Sequence, residues 1–250
     1  MNENKSDLGG YFSIAAGVSY IIVGITFFQL PEIQRGSSIF RDVKDYLISV
    51  AADPSTLAIQ YWFFGLAAIM GMGVIVALKR YIKSEGQDIL NWANVLGLVG
   101  YSFMCANFTR LAYLLPLRAK RFAEGGEQLQ QAMLGSNNLS LDPTAILGFG
   151  FVGLWFLVTN YIAMNNDSFK KELAYIGMLG GMLHILVPIG TVFNIQILVT
   201  IAAGLGGIIL GPVWYIWLGI IMQKKRCLLK CYPVLVKLFQ EKRLERYPGS

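Results

Sequence analysis

Residues Asn91–Pro116 read NWANVLGLVGYSFMCANFTRLAYLLP, an apolar run long enough to cross a bilayer that nevertheless carries an arginine, Arg110. A transmembrane helix needs roughly 20 such residues. Within hydrocarbon an arginine costs several kcal/mol unless it snorkels, meets water or finds a partner, so the charge demands an explanation. The rest of the chain gives this stretch its context. Of the 250 residues, 55% are hydrophobic and only 14% are charged, with a mean hydropathy of +0.52. That composition describes an integral membrane protein and not a soluble globule.

Five further apolar runs accompany the opening one. The six predicted spans cover about 9–30, 57–78, 91–116, 143–164, 172–189 and 195–222, leaving a basic tail over 223–250. Pro31 closes the first span and Pro116 the third, because proline removes a helical donor and crowds the preceding turn. Between the first two, the apolar residues Ile39, Phe40, Tyr46, Leu47 and Ile48 alternate with charges in the pattern of a short amphipathic surface helix. Asp53-Pro54 and Asp142-Pro143 precede the second and fourth spans. The loop 165–171 is short, so the fourth and fifth spans are antiparallel neighbours. The sixth contains AAGLGG and Pro212, which predict a tilt or kink. After Pro233 the tail carries Leu235, Leu238 and Phe239 among basic residues, as an interfacial helix would. The fold class expected is therefore all-α and polytopic, with six transmembrane helices and short interfacial helices at the outer face and the C-terminus.

The net charge of +6 is not a nucleic-acid footprint, because the cations lie between spans and form no stripe. They act as topology determinants. Fourteen Lys and Arg fall on the side of the two termini and seven on the other, which predicts cytoplasmic termini and a bacterial inner-membrane location. The first span is too long for the core of a signal peptide and lacks a small-residue cleavage site, so it is expected to remain as an anchor.

Cys105 lies in a span, and Cys227 and Cys231 are spaced C-x3-C with no histidine nearby, a pattern short of metal ligands. His184 is the chain's single histidine, which excludes a bis-histidine haem. No H-E-x-x-H, G-x-S-x-G or Walker loop is present, and no lysine within a span could form a Schiff base. Asn138-Leu139-Ser140 fits a glycosylation sequon, a triplet without meaning in a bacterial host.

Topology assigns roles to the polar residues. Arg110 lies roughly 24 Å beyond Asn94 at 1.5 Å per residue, in the outer third of the membrane. Glu32, Asp53 and Asp142 share that level, so an ion pair with Asp142 or Asp53 would tie helices at the outer rim. A cationic vestibule for an anionic ligand is the alternative. Tyr101, His184 and Ser19 fall near the midplane, where a transporter keeps its site. Gly180, Gly181 and Pro188 could loosen the fifth span there and free backbone groups around His184, the candidate for cofactor or proton chemistry. Residues 9–116 and 143–222 show no self-similarity of the kind that marks inverted-repeat transporters.

Two stretches, LGGYFSIAAGVSYIIVGI (8–25) and GPVWYIWLGI (211–220), resemble a group of uncharacterised bacterial integral membrane proteins. That group has a glycine-initiated first helix and a terminal P-x-W-x-I-W-L-G segment. The resemblance implies six membrane helices and brings with it no activity, cofactor or partner; the basic tail departs from the pattern.

The sequence favours a non-catalytic accessory or scaffolding subunit of a larger membrane complex, with membrane lipids and other membrane-protein subunits as partners. One alternative is a small transporter-like protein with a site near Arg110, His184 and Tyr101. The other is a lipid- or cofactor-binding membrane protein.

Overall fold

The computed structural model describes residues 8–35, 42–82, 87–135, 140–166 and 169–224. The expected tail helix, Cys227, Cys231 and Asn138 of the sequon lie outside the described residues. The described residues form eight helices, six of them long and apolar enough to cross a membrane. These are α1 (Gly9–Gln29), α3 (Ser55–Tyr81), α4 (Gln87–Glu124), α6 (Ile146–Met164), α7 (Lys171–Val192) and α8 (Gln196–Lys224). The short helices α2 (Val43–Ala52) and α5 (Glu127–Gly135) lie between them. The protein is an all-helical multi-pass membrane protein.

Helix ends follow local chemistry. After Leu30, whose N–H closes on Thr26 O at 3.1 Å, Pro31 cannot continue α1. Arg35 folds back over that end, donating from Nε to Leu30 O at 2.7 Å and from Nη2 to Phe28 O at 2.8 Å, so a cation meets the carbonyl end of the dipole. Asp42 caps α2 by accepting from the Lys44 and Asp45 amides. At the end of α7, Asn194 takes a left-handed φ of 57°. Ile195 N then reaches Gly190 O at 2.7 Å and Asn194 N reaches Thr191 O at 3.2 Å, a Schellman closure that turns the chain into α8 without using a charge.

In spatial order α1 packs on α3, α3 on α4, α4 on α6, α6 on α7, and α7 on α8. Helix α8 returns to α1 along a glycine seam. A Cβ at Gly10, Gly17 or Gly24 would come within 2.8 Å of Gln223, 2.5 Å of Ile216 and 2.7 Å of Ile208 respectively. The seven-residue spacing keeps all three on one face, so the backbones approach closely, as small residues allow in membranes. The start of α1 therefore lies beside the end of α8, and both ends of the bundle's chain leave from one face.

Three expectations are corrected. Pro116 does not end the third span: α4 continues to Glu124, and its 38 residues make a rod of about 57 Å against a hydrocarbon core of about 30 Å. The continuation is held by packing, since Leu115, Ala119 and Phe122 are buried against Tyr46, Leu47 and Val50 of α2 together with Leu30 and Leu57. The amphipathic helix exists over Val43–Ala52 with Tyr46, Leu47 and Val50 resting on protein, while Ile48 is exposed and Ile39 and Phe40 lie outside the described residues. Gly180, Gly181 and Pro188 do not unwind the fifth span, because α7 is helical throughout. Asp142-Pro143 does not open the fourth span directly. Ala145, at a left-handed φ of 59°, leads into a π-helical turn over Ile146–Gly150, and Gly148 N donates to Asp142 Oδ2 at 2.7 Å. The irregularity expected in the sixth span is a π-helical run, Gly204–Leu210, in which Gly211 N donates to Gly206 O immediately before Pro212.

Candidate functional site

Two features stand out in the bundle, a buried aromatic layer and a cavity beside it. The layer is built from α4, α6 and α8. Trp155 Nε1 donates to Asn94 Oδ1 at 3.1 Å, and Trp214 Nε1 donates to Asn160 Oδ1 at 3.0 Å. Asn160 Nδ2 in turn donates to Phe156 O at 2.8 Å. A buried indole N–H needs a partner, and both indoles find one across helices, while Asn94 Nδ2 is left unpaired among the described residues. Tyr101 and Tyr215 hydrogen-bond through their hydroxyls, and Tyr20 stacks on Tyr215 at 5.8 Å. Ser13 Oγ donates to Tyr215 O at 2.6 Å, fixing α1 to α8.

His184 belongs to the edge of this layer. Its ring stacks on Phe156 at 5.7 Å and lies 5.9 Å from Phe149. Nδ1 lies 2.8 Å from Gly180 O, which can only accept, so Nδ1 carries the proton and Nε2 keeps its lone pair in the neutral ring. Tyr101 and His184 are thereby linked through Tyr215 and Phe156.

Arg110, Asp53 and Asp142 are not brought together. Arg110 is half-buried on α4 and has no ion-pair or hydrogen-bond partner among the described residues. The Asp53 carboxylate accepts from Ser55 N at 3.3 Å and Thr56 Oγ1 at 3.5 Å at the start of α3. Asp142 holds the π turn of α6 and also accepts from Thr144 Oγ1 at 3.4 Å. Each carboxylate serves the start of its own helix, which is where unpaired backbone donors collect.

The cavity has a volume of about 340 Å³ and lies towards the end of the bundle that carries α2. Its aromatic wall contains Phe64 stacked on Phe108 at 4.6 Å, with Phe149 edge-on at 6.5 Å. Val187 of α7 and Val199 and Ile208 of α8 form an aliphatic wall. Three amides complete the lining, of which Asn107 already accepts from Leu141 N at Oδ1, at 2.8 Å. Gln60 is 6% exposed and has no hydrogen-bond partner among the described residues. Gln34 is 3% exposed; its Nε2 donates to Ser49 Oγ at 2.9 Å while its Oε1 is buried and unpaired. Asp142 also lines the space. Apolar walls of this size with a few polar groups suit a small amphiphile.

Sequence reasoning passed over Gln60, Asn94, Asn160 and Trp155, and it would set Trp214 at a membrane interface as a belt anchor, whereas that ring is buried. The signal was available: an amide side chain within an apolar run needs a partner as much as a charge does. Comparison with curated proteins and with solved structures returns no match. A family model described as a domain of unknown function (DUF4386) matches residues 15–221, and the chain belongs to that family.

Proposed function

We propose that this chain is a non-catalytic, multi-pass protein of a bacterial inner membrane that holds a small amphiphile in the cavity between α1, α2, α3, α4, α6, α7 and α8. The face carrying both ends is cytoplasmic on the count of cations, so the cavity belongs to the outer half of the bilayer. The observation that carries the reading is Gln60, an amide on the cavity lining with no hydrogen-bond partner among the described residues. A ligand with a hydrogen-bonding head pairs with it.

Gly204 provides the test. It lines the cavity, has helical backbone angles, and a Cβ there would meet nothing within 4 Å. Gly204→Phe is therefore expected to fill the space while leaving thermal stability within about 0.5 kcal/mol, as a change without a clash should. Native mass spectrometry and solvent extraction of protein released from membranes should find a bound amphiphile in the wild type and at least tenfold less in the variant. A wild type that retains none, and takes up none on incubation with lipid extract, removes the reading.

An accessory-subunit role is the second reading, and the projection of α4 favours it. Beyond the hydrocarbon the end of α4 stands beside α5, which has no buried residue. Such a projection offers a docking surface outside the lipid. Purification in mild detergent is expected to carry a second membrane polypeptide at constant stoichiometry; a monodisperse single chain from native membranes would count against it.

A further inference from the structure

The polar groups of the cavity define the kind of head they can receive. Gln60 lines the space with an amide that has no partner among the described residues and offers both a donor and an acceptor. Gln34 Oε1 is sealed from the space and makes no demand on a ligand. Neither amide carries charge.

The cations nearby are placed elsewhere. No Lys or Arg lines the cavity among the described residues. Arg35, adjacent to Gln34, has Nε and Nη2 engaged on the carbonyls of Leu30 and Phe28. Arg110 lies between the lining residues Phe108 and Leu111 yet is not in the wall, since successive helical positions point about 100° apart. A phosphate or carboxylate head would thus be desolvated without a counter-charge and would share the cavity with the Asp142 carboxylate. An ammonium head would find no charged partner but Asp142, whose two oxygens already accept from Gly148 N and Thr144 Oγ1. The volume of about 340 Å³ is near the lower end of ligand pockets, which suits one acyl or isoprenoid chain and not an intact two-chain phospholipid.

We infer that the cavity selects a neutral, single-chain amphiphile whose head hydrogen-bonds the Gln60 amide. This rests on the amphiphile-binding reading above. The two fail separately in one experiment. Full-length protein in lipid nanodiscs is titrated with 1-monooleoylglycerol, with 1-oleoyl-lysophosphatidate, and with oleylamine, and bound ligand is counted by native mass spectrometry. Monooleoylglycerol is expected to bind saturably and at least tenfold more tightly than either charged analogue.

Gln60→Met, which keeps side-chain length but cannot hydrogen-bond a head group effectively, should weaken monooleoylglycerol about tenfold without lowering the melting temperature of the empty protein. Gln60→Glu is a second variant that adds a charge at the same place, and it should move the preference towards oleylamine. A charged analogue that binds the wild type as tightly as monooleoylglycerol overturns the neutral-head inference and leaves amphiphile binding standing. Unaltered monooleoylglycerol affinity in both folded variants overturns the assignment to Gln60. No saturable binding of any of the three overturns both levels.

Discussion

Trp155→Ala is expected to lower the stability of the bundle by about 3 kcal/mol, the lower end of the range for tryptophan truncation in soluble cores. The lower end applies because the unfolded reference for a membrane helix is lipid and not water, so transfer out of water contributes little and lost packing contributes most. That packing is extensive. Trp155 is 0% exposed and meets the rings of Phe156 at 4.8 Å, Tyr101 at 5.9 Å and Trp214 at 6.1 Å. It also fills the notch left by Gly97, where a Cβ would lie 2.7 Å from Trp155 Cγ. Removing the indole leaves a void among those rings, and it deprives Asn94 Oδ1 of its donor.

Trp155→Phe separates the two contributions. It retains most of the ring contact and loses the N–H, and interhelical hydrogen bonds in membranes are worth about 0.6 kcal/mol on average with a maximum near 1.7. A loss of about 1 kcal/mol is therefore expected. Trp92→Ala, at a site 54% exposed, should change little and serves as the control for altered detergent binding. Reversible unfolding in mixed micelles measures all three. A Trp155→Ala loss no larger than that of Trp92→Ala would mean that the aromatic layer does not hold the helices together.

How far the sequence discloses this arrangement depends on which force sets each feature. The six membrane helices are legible because a bilayer imposes one length and one requirement, that backbone groups bond within the segment. The extent of α4 is not legible, because Pro116 is a local signal and the docking of Leu115, Ala119 and Phe122 on α2 is a tertiary one. Arg110 drew attention as the only charge in its run, yet its surroundings leave it unpartnered among the described residues while neutral amides make the contacts between helices. The cavity was out of reach for a different reason. Its residues come from seven helices, the turn at Gln34 and the loop before α6, and nothing in the spacing of Gln34, Gln60 and Asp142 along the chain says that they share one space.

Neighbouring glycines on α7 give the sharpest contrast in expected effect. Gly181→Leu should prevent assembly of the native bundle, whereas Gly180→Ala should be neutral or stabilise it by up to about 1 kcal/mol, the helix-propensity difference between the two residues. At Gly181 a Cβ would lie 2.8 Å from Gly153 O, 2.8 Å from Leu157 N and 2.9 Å from Leu157 Cγ. The contact is reciprocal, since a Cβ at Gly153 would lie 2.8 Å from Gly181 O. Two of the obstacles at Gly181 are backbone atoms, so no rotamer change relieves them and α6 must move away from α7. That movement would carry Trp155, Phe156 and Asn160 with it and break the pairs that join α6 to α4 and α8. Overpacking typically costs about 1–3 kcal/mol when side chains can adjust, and more when they cannot. At Gly180 nothing lies within 4 Å of the added atom, and its carbonyl remains free to accept from His184. The yield of monodisperse protein and its melting temperature in detergent read both variants. Equal behaviour of the two would place the α6–α7 contact elsewhere on α7.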